Sequence, residues 1–162
     1  VTSHATVFRA STANLSDLAA LRFQWRTEEA GEKGLSREGF DVKFFEWCER
    51  HRESHRAYVA TIDGRAVGCA WLFVIERVPG PEKFLRRAGI VQSVYVQPVH
   101  RGAGVGTTLV ESLISDARTM ELDYLLTHPS PASFLFYQRL GFDAADRALE
   151  LRFDPTRERE GR

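Results

Sequence analysis

The sequence predicts a mixed α/β domain built on a mostly antiparallel sheet with about four helices. Three observations predict it. Stretches of strand and helix periodicity interleave from Thr6 to Phe153. Asp63-Gly64 lies between two apolar runs as a hairpin turn, so the early strands run antiparallel. A glycine-rich turn, Arg101–Gly106, joins an apolar run to an amphipathic one, as a strand-to-helix connection does.

Taken in order, Thr6–Arg9 alternates and reads as a short strand. Ser11–Asn14 is a helix-start cluster, and Leu15, Leu18, Leu21 and Trp25 recur at helical spacing, carrying a first helix to about Ala30. Gly31–Gly39 is a loop. Phe40–His51 reads as a second helix with Phe44, Phe45 and Cys48 on its apolar side. Tyr58–Ile62 and Ala66–Ile75 are strands on either side of the hairpin turn. Val78–Arg87 contains Pro79, Gly80 and Pro81 and reads as a loop. Ile90–Val96 is an apolar strand that Pro98 stops. Val105, Leu109, Leu113 and Ala117 mark a third helix. Tyr124–Thr127 is a short buried strand. Pro131 opens a fourth helix that Gly141 ends, and Ala148–Phe153 alternates as a last strand.

With 162 residues, one domain over 1–153 and a charged tail over 154–162 is the expectation. Lys+Arg and Asp+Glu balance at 22 each, which gives no overall pull toward nucleic acid or an anionic membrane. The basic residues are nearly all arginine, as the codon usage of a GC-rich genome would produce; the lysines are Lys33, Lys43 and Lys83. Cys48 and Cys69 read as two free thiols. There is no run of 18 apolar residues, and Val1–Arg9 lacks the apolar stretch of a signal peptide, so the expected location is cytoplasmic. His51 and His55 stand four apart. A zincin-type helix needs Glu directly after the first His, and Arg52 stands there, so no metal is expected.

The chemistry concentrates at Arg101–Gly106. Gly102, Gly104 and Gly106 permit a tight turn, and the helix that follows offers unpaired N–H groups and the positive end of its dipole. Such a turn suits a pyrophosphate. It is not a P-loop, because Thr107-Thr108 follows the last glycine with no lysine. A dinucleotide fold would place the turn near the start of a βαβ repeat. Here it lies two-thirds along the chain.

The run Val94-Tyr95-Val96, Pro98, His100-Arg101-Gly102-x-Gly104-x-Gly106 resembles the acyl-CoA signature of the GNAT N-acyltransferase superfamily. Phe136-Tyr137-Gln138-Arg139-Leu140-Gly141-Phe142 is similar to a second segment of that family, at the family's separation. The resemblance extends over the element order from Thr6 to Phe153. It implies a sheet with a splayed strand pair that receives acetyl-CoA as cosubstrate. The backbone of Arg101, Gly102, Ala103, Gly104, Val105 and Gly106 would hold the pyrophosphate, with Thr107 adding a hydroxyl. Val94, Tyr95 and Val96 would pair with the pantetheine arm, and a free N–H there, that of Val94, would polarise the thioester carbonyl. Tyr137 would face the sulfur. A phenol near pKa ~10 is a weaker acid than a thiol near ~8.5, so full proton transfer is uphill by about 2 kcal/mol and a hydrogen bond to the thiolate is the expected role.

The resemblance also shows departures. Relatives often carry a glutamate early in the fourth strand as a proton relay, and Ile90 stands at that position. His128 is the histidine nominated as base, and it also replaces a common asparagine contact to the CoA arm. Trp25, Glu28, Glu29 and Gln92 are the candidate contacts to the acceptor, a small-molecule amine or a peptide or protein amine. A homodimer is expected on resemblance alone. Trp71 and Phe73 share a strand face as either core or acceptor wall. The short Asp143–Arg147 segment leaves acceptor walls to Trp25–Gly39, Val78–Arg87 or a second subunit. Two readings remain at this point: an N-acetyltransferase working through a ternary complex, and a non-catalytic acyl-CoA-sensing module of the same fold.

Overall fold

The computed structural model describes residues 5–144. The strand expected at 148–153 and the tail lie outside the described residues. One compact unit runs through Thr127 and a second begins at His128.

The first unit is a five-stranded sheet in the order β1-β2-β3-β4-β5. Its strands are β1 (Thr6–Arg9), β2 (His55–Ile62), β3 (Arg65–Arg77), β4 (Arg86–Val96) and β5 (Leu125–Thr127). The first four are antiparallel in sequence, and β5 runs parallel to β4. Its helices are α1 (Leu15–Gln24), α2 (Arg37–His51) and α3 (Val105–Thr119). α1 continues as one π-helical turn, Trp25–Glu29, so the apolar stripe read to about Ala30 is helical throughout but widens at its end. Ser36 caps α2 through its side chain on Gly39 N–H, so the helix begins at Arg37, three residues before the predicted start. β4 begins at Arg86, earlier than Ile90, because Arg86 to Ala88 still pair with β3.

Two cores sandwich the sheet. On one face Leu18 and Leu21 of α1 pack with Ala57, Val59, Cys69, Trp71 and Tyr95, flanked by Phe44 and Trp47 of α2. α3 is the second layer, and it buries Val105, Leu109, Val110, Leu113 and Ala117, the stripe that its helical period requires. Tyr58 Oη donates to Asp116 of α3, and Arg56 pairs with the same carboxylate at 3.3 Å. The Tyr58 phenol is held above its ordinary range by burial first and Asp116 second.

Two irregularities in β4 position the site. Between Cys69 and Trp71 on β3 the partners jump from Tyr95 to Gln92, so β4 carries one extra residue there. Ser93 takes φ +53 at this bulge. On the other side, β4 pairs with β5 only from Gly89 to Val91. β4 therefore runs on for five residues, Gln92 to Val96, past its last β5 partner. This is the splayed pair the family resemblance implies.

The second unit, over its described residues, holds α4 (Phe134–Arg139) after a single 3₁₀ turn at Pro131–Ser133. Gly141 has φ +88, and Phe142 N–H returns to Tyr137 O at 3.1 Å, which closes the helix end.

Candidate active site

The turn after β4 is built by backbone conformation. Pro98–His100 form a 3₁₀ turn, Gly102 has φ +78, and Gly104 caps α3 at φ +81. A Cβ at either glycine would meet open protein-free space, so these glycines supply the left-handed conformation and do not relieve crowding within the chain. Gly106, by contrast, is inside the first turn of α3. Arg101 N–H donates to Pro98 O at 3.2 Å, and Thr108 N–H to Gly104 O at 3.0 Å. The six N–H groups between them, Gly102 to Thr107, have no acceptor among the described residues. They lie at the positive end of a 15-residue helix. The Thr107 hydroxyl is likewise unpaired among the described residues, while Thr108 Oγ1 bonds back to Gly104 O at 3.3 Å. This arrangement can hold a doubly charged phosphate ester by backbone alone.

The Arg101 side chain serves the scaffold. Its Nε donates to Val96 O at 2.8 Å, and its Nη2 reaches both carboxylate oxygens of Glu29 at 2.9 and 2.8 Å. That contact holds the Glu29 carboxyl below its ordinary range. A second tie, Gln97 Nε2 to Gln24 Oε1 at 2.9 Å, joins the same two segments. Tyr95 lies beneath them, its ring stacked on Trp25 at 5.5 Å and 9°. Its hydroxyl is buried with no hydrogen bond, and burial and then Glu29 push its pKa up to about 12. Among the segment Val94, Tyr95 and Val96, the Tyr95 side chain is thus core and only its main chain is available to a ligand.

Beside the bulge lies a cavity of about 260 Å³. It is lined by Gln92 and Ser93 of β4, Trp71 of β3, His55 of β2, Arg22 of α1, and Phe40, Phe44 and Trp47 of α2. Of the four acceptor candidates read in the sequence, Gln92 is here. Trp25, Glu28 and Glu29 are not among the lining residues: Trp25 packs on Tyr95, Glu28 accepts from Gln24 at 3.2 Å, and Glu29 holds Arg101. Trp71 is both core and wall, at 7% exposure. Phe73 stacks instead on His55 at 4.5 Å.

The sequence reading missed Arg22 and His55. Arg22 Nη1 donates to Ser93 Oγ at 3.1 Å and so braces the bulge. His55 Nδ1 lies 3.0 Å from Ser54 Oγ, whose proton goes to His51 O at 3.3 Å. The Nδ1–H tautomer of His55 satisfies both contacts and leaves Nε2 with a lone pair. Burial, then the neighbouring His51, lowers the His55 pKa from its ordinary 6.5. Nothing in one sequence marks either residue: their signal is adjacency across α1, β2 and β4.

In the second unit, Tyr137 is buried at 7% exposure, with edge-on contacts to Phe136 at 5.0 Å and Phe142 at 5.4 Å. His128 is exposed. Among the described residues no group of three His, Cys, Asp or Glu side chains is arranged to hold a metal, and no helix is long and apolar enough to cross a membrane.

The chain matches the model of the acetyltransferase (GNAT) family over residues 18–142. It is 34% identical over 88 residues to a glucosamine 6-phosphate N-acetyltransferase of Trypanosoma brucei brucei, an alignment covering 54% of this chain and 58% of that protein. The chain thus spans little more than half of that relative. A crystal structure of a Trypanosoma brucei acetyltransferase is 26% identical, with TM-score 0.72, covering 92% of this chain and 99% of that one. The structure of an acetyltransferase with acetyl-CoA from Clostridium acetobutylicum superposes with TM-score 0.75 over 92% of this chain and 96% of that one. Its 19% identity makes that a likeness of fold.

Proposed function

The chain belongs to the GNAT acetyltransferase family, and we propose on that footing that it transfers an acetyl or similar short acyl group from acetyl-CoA to an amine. The observation that carries this reading is the row of six unpaired N–H groups from Gly102 to Thr107 at the end of a strand edge that β5 does not cover. Acetyl-CoA fits both parts: its pyrophosphate is a dianion for the turn, and its pantetheine amides match a free strand edge.

The cosubstrate supplies an activated thioester. The amine nitrogen attacks the thioester carbonyl, the C–N bond forms, the C–S bond breaks, and the thiolate departs while the amine loses one proton. Main-chain N–H groups past the bulge, Val94 foremost, polarise the carbonyl oxygen. Tyr137, by its place in the second motif, hydrogen-bonds the departing thiolate. His55, neutral at physiological pH and lining the cavity beside Gln92 and Ser93, receives the amine proton on Nε2. It takes over a role for which Ile90 offers no group and for which His128 was the sequence candidate.

Attack is direct, without an acyl-enzyme. Burial pushes the Cys69 thiol up to about 12 and the Cys48 thiol to about 11, so neither is an activated nucleophile at neutral pH.

Acetyl-CoA titration followed by a free-thiol assay over a panel of amines tests the proposal. Tyr137→Phe is expected to lower kcat about tenfold or more with little change in acetyl-CoA affinity. Undiminished turnover would remove Tyr137 from the mechanism. The sensing-module reading rests on Ile90 in place of a strand-four carboxylate. Tight acetyl-CoA binding with no thiol release on any amine would select it.

A further inference from the structure

Resting on the acyltransferase reading, we infer that the acceptor amine carries an anionic group, a carboxylate or a phosphate, seated on Arg22, with an apolar or aromatic-stacking body against the cavity wall. The first argument is the pairing of arginines around the site. Arg26 bridges Glu32, Arg37 bridges Asp41 at 2.7 Å, and Arg101 bridges Glu29 at 2.8 Å. Arg22, on the same helix as Arg26 and only half exposed, has no carboxylate within ion-pair distance among the described residues. Its one hydrogen bond is to the neutral Ser93 Oγ, and its remaining contact is the Trp25 ring at 5.2 Å from the guanidinium carbon.

A guanidinium carries five donors in a planar fork. One is engaged by Ser93; Arg22 is among the residues that line the cavity, and no carboxylate shares that lining. The Arg26 cation opposes it, and the Glu32 carboxylate that acts on it from beyond ion-pair distance is already held by Arg26. Burial first and Arg26 second lower its pKa, against smaller raising effects of Cys69 and Glu32. Leaving such a group half-buried is unfavourable, and a ligand anion removes the penalty.

The second argument is the chemistry of the walls. Phe40, Phe44, Trp47 and Trp71 surround the cavity, and no aspartate or glutamate lines it. A polycationic acceptor, which needs carboxylates, finds none. A small amine with one anionic group and one apolar or sugar-ring face matches Arg22 and the four rings together. The cavity, about 260 Å³, sits against the bulge residues Gln92 and Ser93, so an acceptor anchored on Arg22 lies beside the free strand edge.

Binding of matched amines tests this with and without CoA, read by tryptophan fluorescence, since Trp47 and Trp71 line the cavity. The pairs are L-phenylalanine with 2-phenylethylamine, and glucosamine 6-phosphate with glucosamine; kanamycin serves as polycation. In at least one pair the anionic member is expected to bind about tenfold or more tightly than its neutral partner. Which pair does so distinguishes a carboxylate from a phosphate. Arg22→Gln should abolish the advantage, and Arg22→Lys should retain part of it. Equal binding within both pairs, tightest binding of kanamycin, no binding of either anionic amine at millimolar concentration, or an advantage that survives Arg22→Gln would overturn the inference. If Arg22→Gln does not fold, the wild-type pairs and Arg22→Lys still decide. Failure of acetyl-CoA to bind or to release thiol counts against the acyltransferase reading, whereas loss of the pair preference counts against the anionic acceptor.

Discussion

Gly104 is the N-cap of α3 with φ +81 and ψ −2, and an added Cβ would touch nothing. Its substitution is therefore a test of backbone conformation alone. Gly104→Ala is expected to cost about 1 kcal/mol in a urea titration, because an L-residue resists the left-handed region. It should also weaken acetyl-CoA binding, since relaxing φ reorients the unpaired Val105 and Gly106 N–H groups. Unchanged affinity in calorimetry would mean that the phosphates are held elsewhere. At this scale the sequence was read well where glycine and proline punctuate the chain. The Arg101 N–H, which the family motif put in the cradle, donates to Pro98 O. Ser93 was not marked at all, because a non-glycine with φ +53 carries no signal in its residue type.

β4 is the element on which the site depends. It is bulged toward β3 at Ser93 and abandoned by β5 after Val91. Gly68 lets β3 rejoin β4 beyond the bulge: a Cβ there would come within 2.8 Å of Tyr95 O, a main-chain atom that cannot rotate away. Gly89 is crowded too, but by the ends of Leu125, Leu72 and Leu122. Gly68→Ala is therefore expected to destabilise by about 1–3 kcal/mol and by more than Gly89→Ala, measured by chemical denaturation. It should also raise KM for acetyl-CoA, since the strain displaces Tyr95 and Val96. A larger loss from Gly89→Ala would show that the leucine ends are the stiffer wall. The existence of β4 was plain from Ile90–Val96, but its bulge was not, because a bulge is a relation between two strands.

Taken whole, the described chain places a neutral histidine, an arginine without a carboxylate partner, and strand-edge residues Gln92 and Ser93 around one cavity. Its stability should respond to protons through that histidine. Burial and His51 hold His55 below its ordinary pKa of 6.5, so as pH falls the unfolded chain takes up the proton first. Stability is complete above about pH 6.5 and declines as pH falls from there through the lower folded value. Melting temperature compared at about pH 7.5 and about pH 5.5 should fall in the wild type and fall less in His55→Asn. An identical decline in both proteins would assign the effect to other groups. The acidic pair Glu29–Arg101 acts in a separate, lower window: its carboxyl is held below the ordinary 4.5, so that contribution is lost only as pH falls below that value.

The sequence by itself determined what depends on local rules. Helical and strand periods, the Asp63-Gly64 turn, the Pro98 stop and the glycines before Val105 give the elements, their order and the anion-binding turn, since each is set by neighbours within a few residues. Two motifs at the right separation gave the family. The tertiary structure alone decided what depends on long-range contact. It paired Glu29 with Arg101, which lie 72 positions apart. It brought Arg22 to Ser93 across 71 positions and put His55 and Gln92 in the lining of one cavity. Charge pairing and cavity walls follow from how the elements pack, and packing is a sum over contacts that no single stretch of sequence contains.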